Sequence, residues 1–547
     1  MNESAGAPRA QKEPLLDFGD KERDTQGMID RAIARIRAEL LGKTLPHLIA
    51  GQPHFSGKRF RRMNPSDTRE CIGETVFASL EAVEEAVRVT LRSKDAREWA
   101  RMPLAARAPF LRRWAENIRK KDLFFIGLSV LEVGKQSWLA DGEVCEAIEL
   151  LKADADYAEG KEPEANAKLR SPKGRKNSAV FVPYGPRIPL CASIQPWNFP
   201  LAISAGPVAA ALVCGHSVLY KPAEQSSTIG YYLAKTLYEA GIPPEIFHFL
   251  PGDGGEVGAA MVAHKDVSGV MFTGSLEVRR AIRDAIADFN RTNPPWEKRA
   301  YALESGGKNA MIVGPDADVN YVVSDVAESK FGFQGQRCSS VDILLIVDPS
   351  PRQVRYKEIT HRLVEHVTGL CIGSPEDPAN SVGPLVDEKA LEKVLRYMRL
   401  AEKEGTVLVH KDPPLGLPGY FPPLMVVHGL PRDSAILRDE IFGPLLAVVH
   451  VESKEEAVAF MERINHALTL SVHSRDEEFV AFILREVAAG VKYIRTATVG
   501  AVPGEQNFGG GKWSGNGTKA GSPTYLDPLL FEVNHSENTL QCGIPME

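Results

Sequence analysis

The chain has 547 residues, a formal net charge of −6 and a hydrophobic fraction of 44%. That length exceeds what one simple hydrophobic core accommodates, so we expect two or three domains. The charge balance shows no basic excess, which argues against nucleic acid or an anionic membrane surface as a partner. The seven cysteines are scattered, without a C-x-x-C pair or zinc-like spacing. This pattern favours free thiols in a reducing compartment and predicts no metal site.

No stretch has the pattern of a membrane span or a targeting signal. The longest apolar run, 199–215, is interrupted by Pro200, Gly206 and Pro207 and is too short to cross a bilayer. The segment from Met1 to Asp20 mixes acids and bases, so we expect a frayed tail there. We therefore expect a soluble protein without membrane insertion, located in the cytoplasm, or in the mitochondrial matrix if the source is eukaryotic.

The first third of the chain has the apolar periodicity of amphipathic helices. Leu80, Val83, Val87 and Leu91 fall on one helix face, and Ser79 is suitably placed to cap that helix. The predicted helices cover 26–42, 80–92, 103–120, 122–134 and 141–159, with short strands within 45–77. The polar, basic stretch 160–178 then precedes a predicted strand at 179–183. Charge runs are usually solvated faces, so we interpret this stretch as an extending arm and not as a nucleic-acid arm.

From residue 188 short apolar strands alternate with helices, which predicts right-handed βαβ units and a parallel sheet. The strands are predicted at 189–194, 217–220, 246–250 and 269–272, and the helices at 201–213, 227–240 and 254–264. A second α/β set has strands at 310–313, 342–347, 407–409, 424–427 and 446–451, helices at 317–330, 351–368, 387–404, 454–464 and 477–489, and a final strand at 528–533. Ligands of such sheets bind at the carboxyl ends of the strands.

Three stretches could carry a ligand or chemistry. The Gly-rich run 251–258 lacks G-x-G-x-x-G spacing, so an ordinary turn explains it as well as a phosphate loop does. Phe272-Thr-Gly-Ser275 leads from a strand into a helix N-terminus, which suits a phosphate. Cys338 lies among small and polar residues, and the positive charge of Arg337 would favour its thiolate. A buried structural cysteine is the alternative, and local sequence alone does not separate the two.

Six separated motifs occur in one order along the chain. They are Pro196-Trp-Asn-Phe-Pro200, Lys221-Pro-Ala-Glu224, Phe272-Thr-Gly-Ser275, Glu304-Ser-Gly-Gly-Lys-Asn309, Gly335-Gln-Arg-Cys338 and Glu440-Ile-Phe-Gly-Pro444. Together they resemble the aldehyde dehydrogenase superfamily over about residues 40–535. The C-terminal stretches 500–510 and 514–526, and Phe331-Gly-Phe-Gln-Gly335, are similar to the branch of Δ1-pyrroline-5-carboxylate dehydrogenases, which oxidise L-glutamate γ-semialdehyde.

The resemblance implies an α/β fold with two doubly wound domains and a small β oligomerisation arm. It implies a tail and first helix at 1–40, an NAD-binding domain at 41–159 and 183–300, a catalytic domain at 301–505, and an arm at 160–182 and 518–547. It also implies a homodimer or higher homo-oligomer, and allows a separate proline dehydrogenase as a partner. The implied reaction is NAD-dependent oxidation of the semialdehyde to L-glutamate in proline catabolism.

The resemblance assigns roles to particular residues. The catalytic set is Cys338 as nucleophile, Glu304 as general base and Asn198 as an oxyanion donor. The cofactor set is Ile194, Pro196, Trp197, Lys221, Ala223, Glu224, Gly254, Gly258, Phe272, Gly274, Ser275, Glu440 and Phe442. The substrate set is Glu146, Phe199, Arg337, Ser339, Gly500, Ala501 and Phe508. An NAD(P)-dependent dehydrogenase of another aldehyde and a catalytically silent paralogue are the alternatives.

Three positions depart from the family pattern. Arg279 stands where the phosphate segment usually ends in glycine, Tyr493-Ile-Arg-Thr496 replaces a Tyr-hydrophobic-Asn-Arg pattern, and His466-Ala-Leu-Thr-Leu470 replaces a Pro-Tyr-Gly-Leu turn. Arg279 bears on how the cofactor is held, since it could pair with a phosphate. Arg495 bears on substrate specificity, since a new cation could either bind a carboxylate or block the cavity.

Overall fold

The computed structural model describes residues 24–540, so the predicted tail over Met1 to Asp20 lies outside the described residues. The helices are α1 Thr25–Leu40, α2 Leu80–Arg92, α3 Lys94–Arg101, α4 Ala108–Arg119, α5 Asp122–Val133, α6 Ser137–Lys168, α7 Ala202–Val213, α8 Ser227–Glu239, α9 Ala259–Ala263, α10 Leu276–Thr292, α11 Val319–Phe331, α12 Val354–Gly369, α13 Glu388–Glu404, α14 Ala435–Arg438, α15 Lys454–Glu462 and α16 Glu477–Glu486.

The strands are β1 Thr44–Leu45, β2 His47–Ile49, β3 Gln52–His54, β4 Arg59–Asn64, β5 Asp67–Val76, β6 Arg175–Pro183, β7 Leu190–Ile194, β8 Ser217–Lys221, β9 Phe247–Phe249, β10 Gly269–Gly274, β11 Ala300–Ser305, β12 Asn309–Val313, β13 Val341–Val347, β14 Thr406–Lys411, β15 Leu424–His428, β16 Leu445–Val451, β17 His466–Ala467, β18 Thr469–His473, β19 Val491–Ile494, β20 Gly511–Lys512 and β21 Leu530–Asn538.

The first large sheet has the strand order β11-β10-β7-β8-β9-β2-β3. Strands β7 to β11 pair in parallel, as the alternation of strands and helices predicts. Helices α1 and α3–α8 cover one face, while α2, α9 and α10 cover the other, so the strands are apolar on both sides. Strand β11 pairs with β10 over its whole length, whereas the resemblance implies a domain boundary at 300/301. The sheet extends to Ser305.

The second large sheet has the order β14-β15-β16-β13-β12-β18-β19 and is parallel except for the edge strand β14. Helices α13–α16 pack on one face and α11 and α12 on the other. Two parallel sheets, each covered on both faces, confirm the predicted fold class. Strands β11, β18 and β19 were not predicted.

Helix α6 ends later than predicted. Helix α6 continues through Pro163 to Lys168, beyond the predicted end at residue 159, and β6 then pairs with β21 in an antiparallel ribbon. In α2, the Ser79 side chain accepts from the Ala82 N–H, which confirms the predicted cap, but Leu80 is 52% exposed and does not join the apolar face. Among residues 24–540, no helix has the length and apolarity that a membrane crossing requires.

Candidate active site

Cys338 follows a tight left-handed turn between α11 and β13. Phe333, Gln334 and Gly335 have φ angles of 51°, 55° and 71°, a conformation that only glycine adopts without cost. At Gly335 a Cβ atom would lie 2.5 Å from the carbonyl oxygen of Gly443. Glycine is therefore required there, and the strained turn directs the half-buried Cys338 toward the space between the two sheets.

Several side chains fix the backbone around the thiol. The Asn309 amide donates to the carbonyl oxygens of Cys338 at 2.7 Å and Ser340 at 2.9 Å. Thr498 Oγ1 donates to the carbonyl of Ser339 at 2.7 Å. The nucleophile candidate is therefore held by residues from β12 and from the loop after β19, and its position depends on the second sheet as a whole.

Asn198 lies in the loop between β7 and α7, and is 5% exposed. Its side-chain amide donates to the carbonyl of Gln336 at 3.2 Å. The start of α7 is fixed by Glu143, whose Oε1 accepts from the Leu201 N–H at 2.7 Å. Glu143 also pairs with the buried Lys135 ammonium, and that ammonium lies 3.9 Å from the ring centroid of Phe199. These contacts set the loop that carries the predicted oxyanion donor.

One cavity of about 490 Å³ contains the thiol of Cys338 and the carboxylate of Glu304. All seven residues predicted for substrate binding line it: Glu146, Phe199, Arg337, Ser339, Gly500, Ala501 and Phe508. At Gly500, φ is +88° and nothing lies within 4 Å of the place a Cβ would take. Its backbone is thus unshielded, as a binding loop for a small anion requires.

Burial, together with the carboxylates of Glu440, Glu146 and Glu304, raises the pKa of Cys338 to about 12. The expectation that Arg337 would favour the thiolate is therefore wrong for this arrangement, because burial and three acidic neighbours outweigh one cation. Arg337 is 6% exposed. Its Nε and Nη2 have no hydrogen-bond partner among residues 24–540. A buried guanidinium that lines a cavity in this way suits an anionic ligand.

Glu304 is the last but one residue of β11 and reaches the same cavity. Burial raises its pKa to about 8, even though the Gly510 N–H, Lys519 and Arg279 favour the carboxylate and so act against the rise. Oε2 accepts from the Gly510 N–H at 2.8 Å, and Oε1 has no partner in the described part of the chain. A carboxylate with one oxygen fixed and one open has the form of a general base for water.

The cofactor residues cluster at the carboxyl ends of three neighbouring strands. Ile194 pairs with Lys221 on one side and with Phe272 on the other. Lys221 Nζ donates to Glu224 Oε1 at 2.9 Å. A Cβ at Gly258 would lie 3.6 Å from Lys221 Cδ and 3.8 Å from Ile194 Cδ1, so that helical turn packs closely on the pair. This is the edge at which parallel sheets bind nucleotides.

The remaining cofactor candidates lie around this edge. Pro196 and Trp197 follow β7, Ala223 follows β8, Gly254 begins the turn before α9, and Gly274 ends β10. Ser275 caps α10 by accepting from the Val278 N–H, so its hydroxyl serves the helix whose N-terminus could receive a phosphate.

Glu440 and Phe442 approach from the second sheet. A Cβ at Gly306 would lie 1.5 Å from Glu440 Oε1, so glycine is required for that approach. Burial raises the pKa of Glu440 to about 7. Phe442 has φ of 61°, and its ring meets Trp197 edge-on with centroids 5.7 Å apart. The two residues bring the second sheet against the loop after β7.

Residues 53–530 match the family model described as "Aldehyde dehydrogenase family". The chain belongs to the aldehyde dehydrogenase family. It is 32% identical over 514 residues to a 1-pyrroline-5-carboxylate dehydrogenase of Geobacillus sp. (strain WCH70), with 94% of this chain and 96% of the relative covered.

Solved structures give the same result. A Thermus 1-pyrroline-5-carboxylate dehydrogenase with bound NAD superposes with a TM-score of 0.86 at 31% identity, covering 96% of this chain and 98% of that one. Proline utilization A from Bdellovibrio bacteriovorus gives a TM-score of 0.89 at 34% identity, covering 98% of this chain. The chain spans 54% of that longer protein.

Two of the departures in this aldehyde dehydrogenase are arginines whose side chains bind backbone carbonyls of the protein. Arg495 donates to the carbonyl of Ser474 at 2.7 Å and pairs with Glu477. It does not line the cavity of Cys338. Arg279 is 6% exposed and donates to the carbonyls of Leu303 and Trp513. Its guanidinium is engaged inside the protein and not at the helix N-terminus.

Several cavity residues were missed. Tyr493 and Glu328 line the cavity, and the Tyr493 hydroxyl is buried without a partner among the described residues. Tyr493 lies in the stretch Tyr493–Thr496, which departs from the family pattern. A prediction of strand β19 there would have identified Tyr493 as a cavity residue. Glu328 carries no sequence signal, because its position on α11 alone decides where it points. Within residues 24–540, no group of three or more His, Cys, Asp or Glu could hold a metal ion.

Proposed function

We propose that this aldehyde dehydrogenase oxidises L-glutamate γ-semialdehyde, formed from Δ1-pyrroline-5-carboxylate, to L-glutamate with NAD as hydride acceptor. The observation that carries the proposal is the single cavity in which Cys338, Glu304 and all seven predicted substrate residues meet. The 1-pyrroline-5-carboxylate dehydrogenases to which the chain is similar over nearly their whole length support the same substrate.

The cavity has a donor-rich side and an acidic side, as an amino-acid substrate requires. Arg337 offers N–H groups that have no partner in the described part of the chain, Ser339 offers a hydroxyl, and Gly500 an unshielded backbone. These would bind the α-carboxylate. Glu146 and Glu328 line the same space and would favour the ammonium group. Phe199 and Phe508 supply apolar walls for the short methylene chain between the two ends.

The chain's own residues account for each chemical step. The Cys338 sulfur adds to the aldehyde carbon and gives up its proton to solvent, and the oxyanion accepts from the Asn198 amide and the Cys338 N–H. The carbon then releases hydride, which leaves a thioester on Cys338. A water molecule attacks that thioester while Glu304 Oε1 takes its proton. The carboxylate product departs, the sulfur takes up the second proton of that water and returns to the Cys338 thiol, and Glu304 passes its proton to solvent.

The residues at the edge of the first sheet fit NAD, which when bound accepts the hydride. Lys221 and Glu224 would hold the adenosine ribose, and the N-terminus of α10 with Ser275 would face the pyrophosphate. Glu440 and Phe442 would hold the nicotinamide end against Trp197. Glu224 makes a free 2′-hydroxyl favourable and a 2′-phosphate unfavourable, which supports NAD over NADP.

The decisive experiment compares kcat/KM for Δ1-pyrroline-5-carboxylate and for propanal by NADH formation. We expect a preference of at least ~100-fold, because losing partners for buried polar groups costs several kcal/mol. Cys338→Ala should form no NADH with either substrate. If propanal or a long-chain aldehyde matches Δ1-pyrroline-5-carboxylate, the enzyme acts on another aldehyde.

Assembly is a separate part of the proposal. The β6–β21 ribbon carries Val182 at 39% and Phe531 at 56% exposure, and exposed strand edges tend to pair with another chain. We infer that the ribbon joins copies of this chain into a homodimer or a higher homo-oligomer. Light scattering of the full chain and of Phe531→Asp would test this. A separate proline dehydrogenase remains a predicted partner.

A further inference from the structure

The strand that carries Glu304 is held by residues from a distant part of the chain. We call 509–519 the C-terminal segment. Within it, Ser514 O accepts from the Ser305 N–H at 2.7 Å, and Asn516 Oδ1 accepts from the Leu303 N–H at 2.9 Å. The segment therefore bonds the residues on both sides of Glu304 and fixes the backbone from which its side chain extends.

The same segment also contacts the carboxylate. Besides the 2.8 Å hydrogen bond from the Gly510 N–H to Oε2, Gly515 lies directly against the side chain. A Cβ at Gly515 would be 2.4 Å from both carboxylate oxygens. The glycines therefore let the backbone approach the carboxylate closely. Oε1 is buried and has no hydrogen-bond partner among residues 24–540.

Two cations flank this carboxylate, and backbone carbonyls hold both of them. Lys519 Nζ donates to the carbonyl of Gly490 at 2.9 Å and to that of Gly509. Arg279 donates through Nε to Leu303 O at 3.2 Å and through Nη1 to Trp513 O at 3.3 Å. Neither forms an ion pair within the described part of the chain. Their charges thus remain available to Glu304, whose own backbone neighbour Leu303 accepts from Arg279.

We propose that Lys519 and Arg279 are positioning residues that favour the ionised form of Glu304, so that it can take a proton from the water that hydrolyses the Cys338 thioester. This inference rests on the proposed role of Glu304 as the general base. It also gives a function to Arg279, whose guanidinium donates to the carbonyl of Leu303, the residue before the base.

The charges around Glu304 oppose one another. With all its neighbours present, the pKa of Glu304 is raised to about 8. Burial is the main cause of the rise, and Lys519 and Arg279 act against it by favouring the carboxylate. Cys338 and Tyr525 also face it, but both are neutral when protonated. Removing either cation should raise the Glu304 pKa by about one unit, the effect of one nearby opposite charge. Proton transfer to Glu304 would then need a higher pH.

The test follows thioester hydrolysis without aldehyde or cofactor. 4-Nitrophenyl acetate acylates Cys338 and releases nitrophenolate. The acyl-enzyme is freed of excess ester, and its decay is followed by intact mass across the pH range in which the enzyme stays folded. The variants are Lys519→Met and Arg279→Gln, with Lys512→Met and Arg283→Gln as matched controls from the same segment and the same helix. Lys519→Arg and Arg279→Lys keep the charge.

For the wild type and both controls we expect the deacylation rate to rise through a midpoint near 8. In Lys519→Met and Arg279→Gln the midpoint should move up by about one unit, with deacylation about tenfold slower below it and an unchanged plateau at high pH. The charge-keeping variants should retain the wild-type midpoint. Should one variant fail to fold, as judged by its thermal melt, the other carries the test alone.

An unchanged midpoint in Lys519→Met and Arg279→Gln would overturn the inference. A rate loss that is uniform across pH would overturn it as well, because it would indicate a purely structural role. Glu304→Gln separates this inference from the proposed function. If that variant deacylates as fast as the wild type, Glu304 is not the base and the proposed mechanism fails. If Glu304→Gln deacylates slowly while Lys519→Met and Arg279→Gln deacylate like the wild type, Glu304 remains the base. Only the proposed role of Lys519 and Arg279 is then refuted.

Discussion

The side-chain amide of Asn198 donates to the carbonyl of Gln336 at 3.2 Å, which ties the loop after β7 to the turn that carries Cys338. Gln336 is itself fixed, since its Oε1 accepts from the Val386 N–H at 2.9 Å. A side-chain amide nitrogen has two N–H groups. One is used for this contact, and the second can donate to an oxyanion formed beside the thiol.

Asn198→Ala should therefore lower kcat strongly while changing KM little. Removing one oxyanion donor lowers kcat by roughly 100- to 1,000-fold, because the hydrogen bond is strongest when the oxygen carries charge. NADH formation at saturating NAD measures the effect. Asn293→Ala, which removes contacts to the carbonyl of Phe289 and to the Thr292 hydroxyl at the end of α10, is the control. A loss confined to KM would show that Asn198 binds substrate without stabilising the oxyanion.

Glu304→Gln should give a burst of NADH of about one per active site and then stall. The amide keeps the size of the side chain but cannot accept a proton from water, so only hydrolysis stops. In the wild type, hydrolysis should increase as the pH rises through about 8, since burial raises the Glu304 pKa to that value and only the carboxylate is active. A uniformly slow reaction without a burst would place Glu304 at an earlier step.

Much of this site could be predicted from the sequence. Strong apolar periodicity shows where strands and helices end, and the site residues lie at those ends. Ile194, Lys221 and Phe272 were predicted near strand ends, and they pair side by side in the sheet. Ser79 was predicted to cap α2 and does so. Such features depend on local patterns, which one sequence displays directly.

Features that depend on side-chain direction or on burial could not be predicted from the sequence. Arg279 and Arg495 are cations next to functional motifs, and sequence alone could not show that both bind backbone carbonyls of the protein itself. The acidity of Cys338 was misjudged because Glu440, Glu146 and Glu304 come from three distant parts of the chain. Helix α6 passes Pro163 because tertiary packing along its length outweighs one lost backbone hydrogen bond.

The cofactor preference should depend on Glu224, which Lys221 holds at 2.9 Å. The carboxylate can accept from a ribose 2′-hydroxyl and repels a 2′-phosphate, so kcat/KM should favour NAD over NADP. Glu224→Gln should narrow that ratio mainly by raising kcat/KM for NADP. Glu239→Gln removes an exposed ion pair with Lys121 and should leave the ratio unchanged. Equal values for the two cofactors in the wild type would contradict the ribose assignment.

The stability of the site should depend on the buried pair of Lys135 and Glu143. Glu143→Met leaves the Lys135 ammonium buried without its partner and removes the acceptor for the Leu201 N–H. We expect the loss to be about 3–5 kcal/mol in the free energy of unfolding, measured by urea denaturation. Glu239→Met breaks an exposed pair and should cost at most about 1 kcal/mol. Similar losses for the two variants would contradict this account.

Substrate selectivity should depend on Ser339 and not on Arg495. The Ser339 side chain lines the cavity beside Cys338, so Ser339→Ala removes a donor that the α-carboxylate needs while the apolar walls remain. We expect kcat/KM for Δ1-pyrroline-5-carboxylate to fall roughly tenfold or more, the cost of one unpaired charged group, while propanal changes little. Arg495→Gln is the matched comparison, because its guanidinium binds Ser474 and Glu477 outside the cavity. The selectivity is the ratio of kcat/KM for Δ1-pyrroline-5-carboxylate to kcat/KM for propanal. If this ratio falls in Arg495→Gln, or stays unchanged in Ser339→Ala, the substrate α-carboxylate is bound elsewhere.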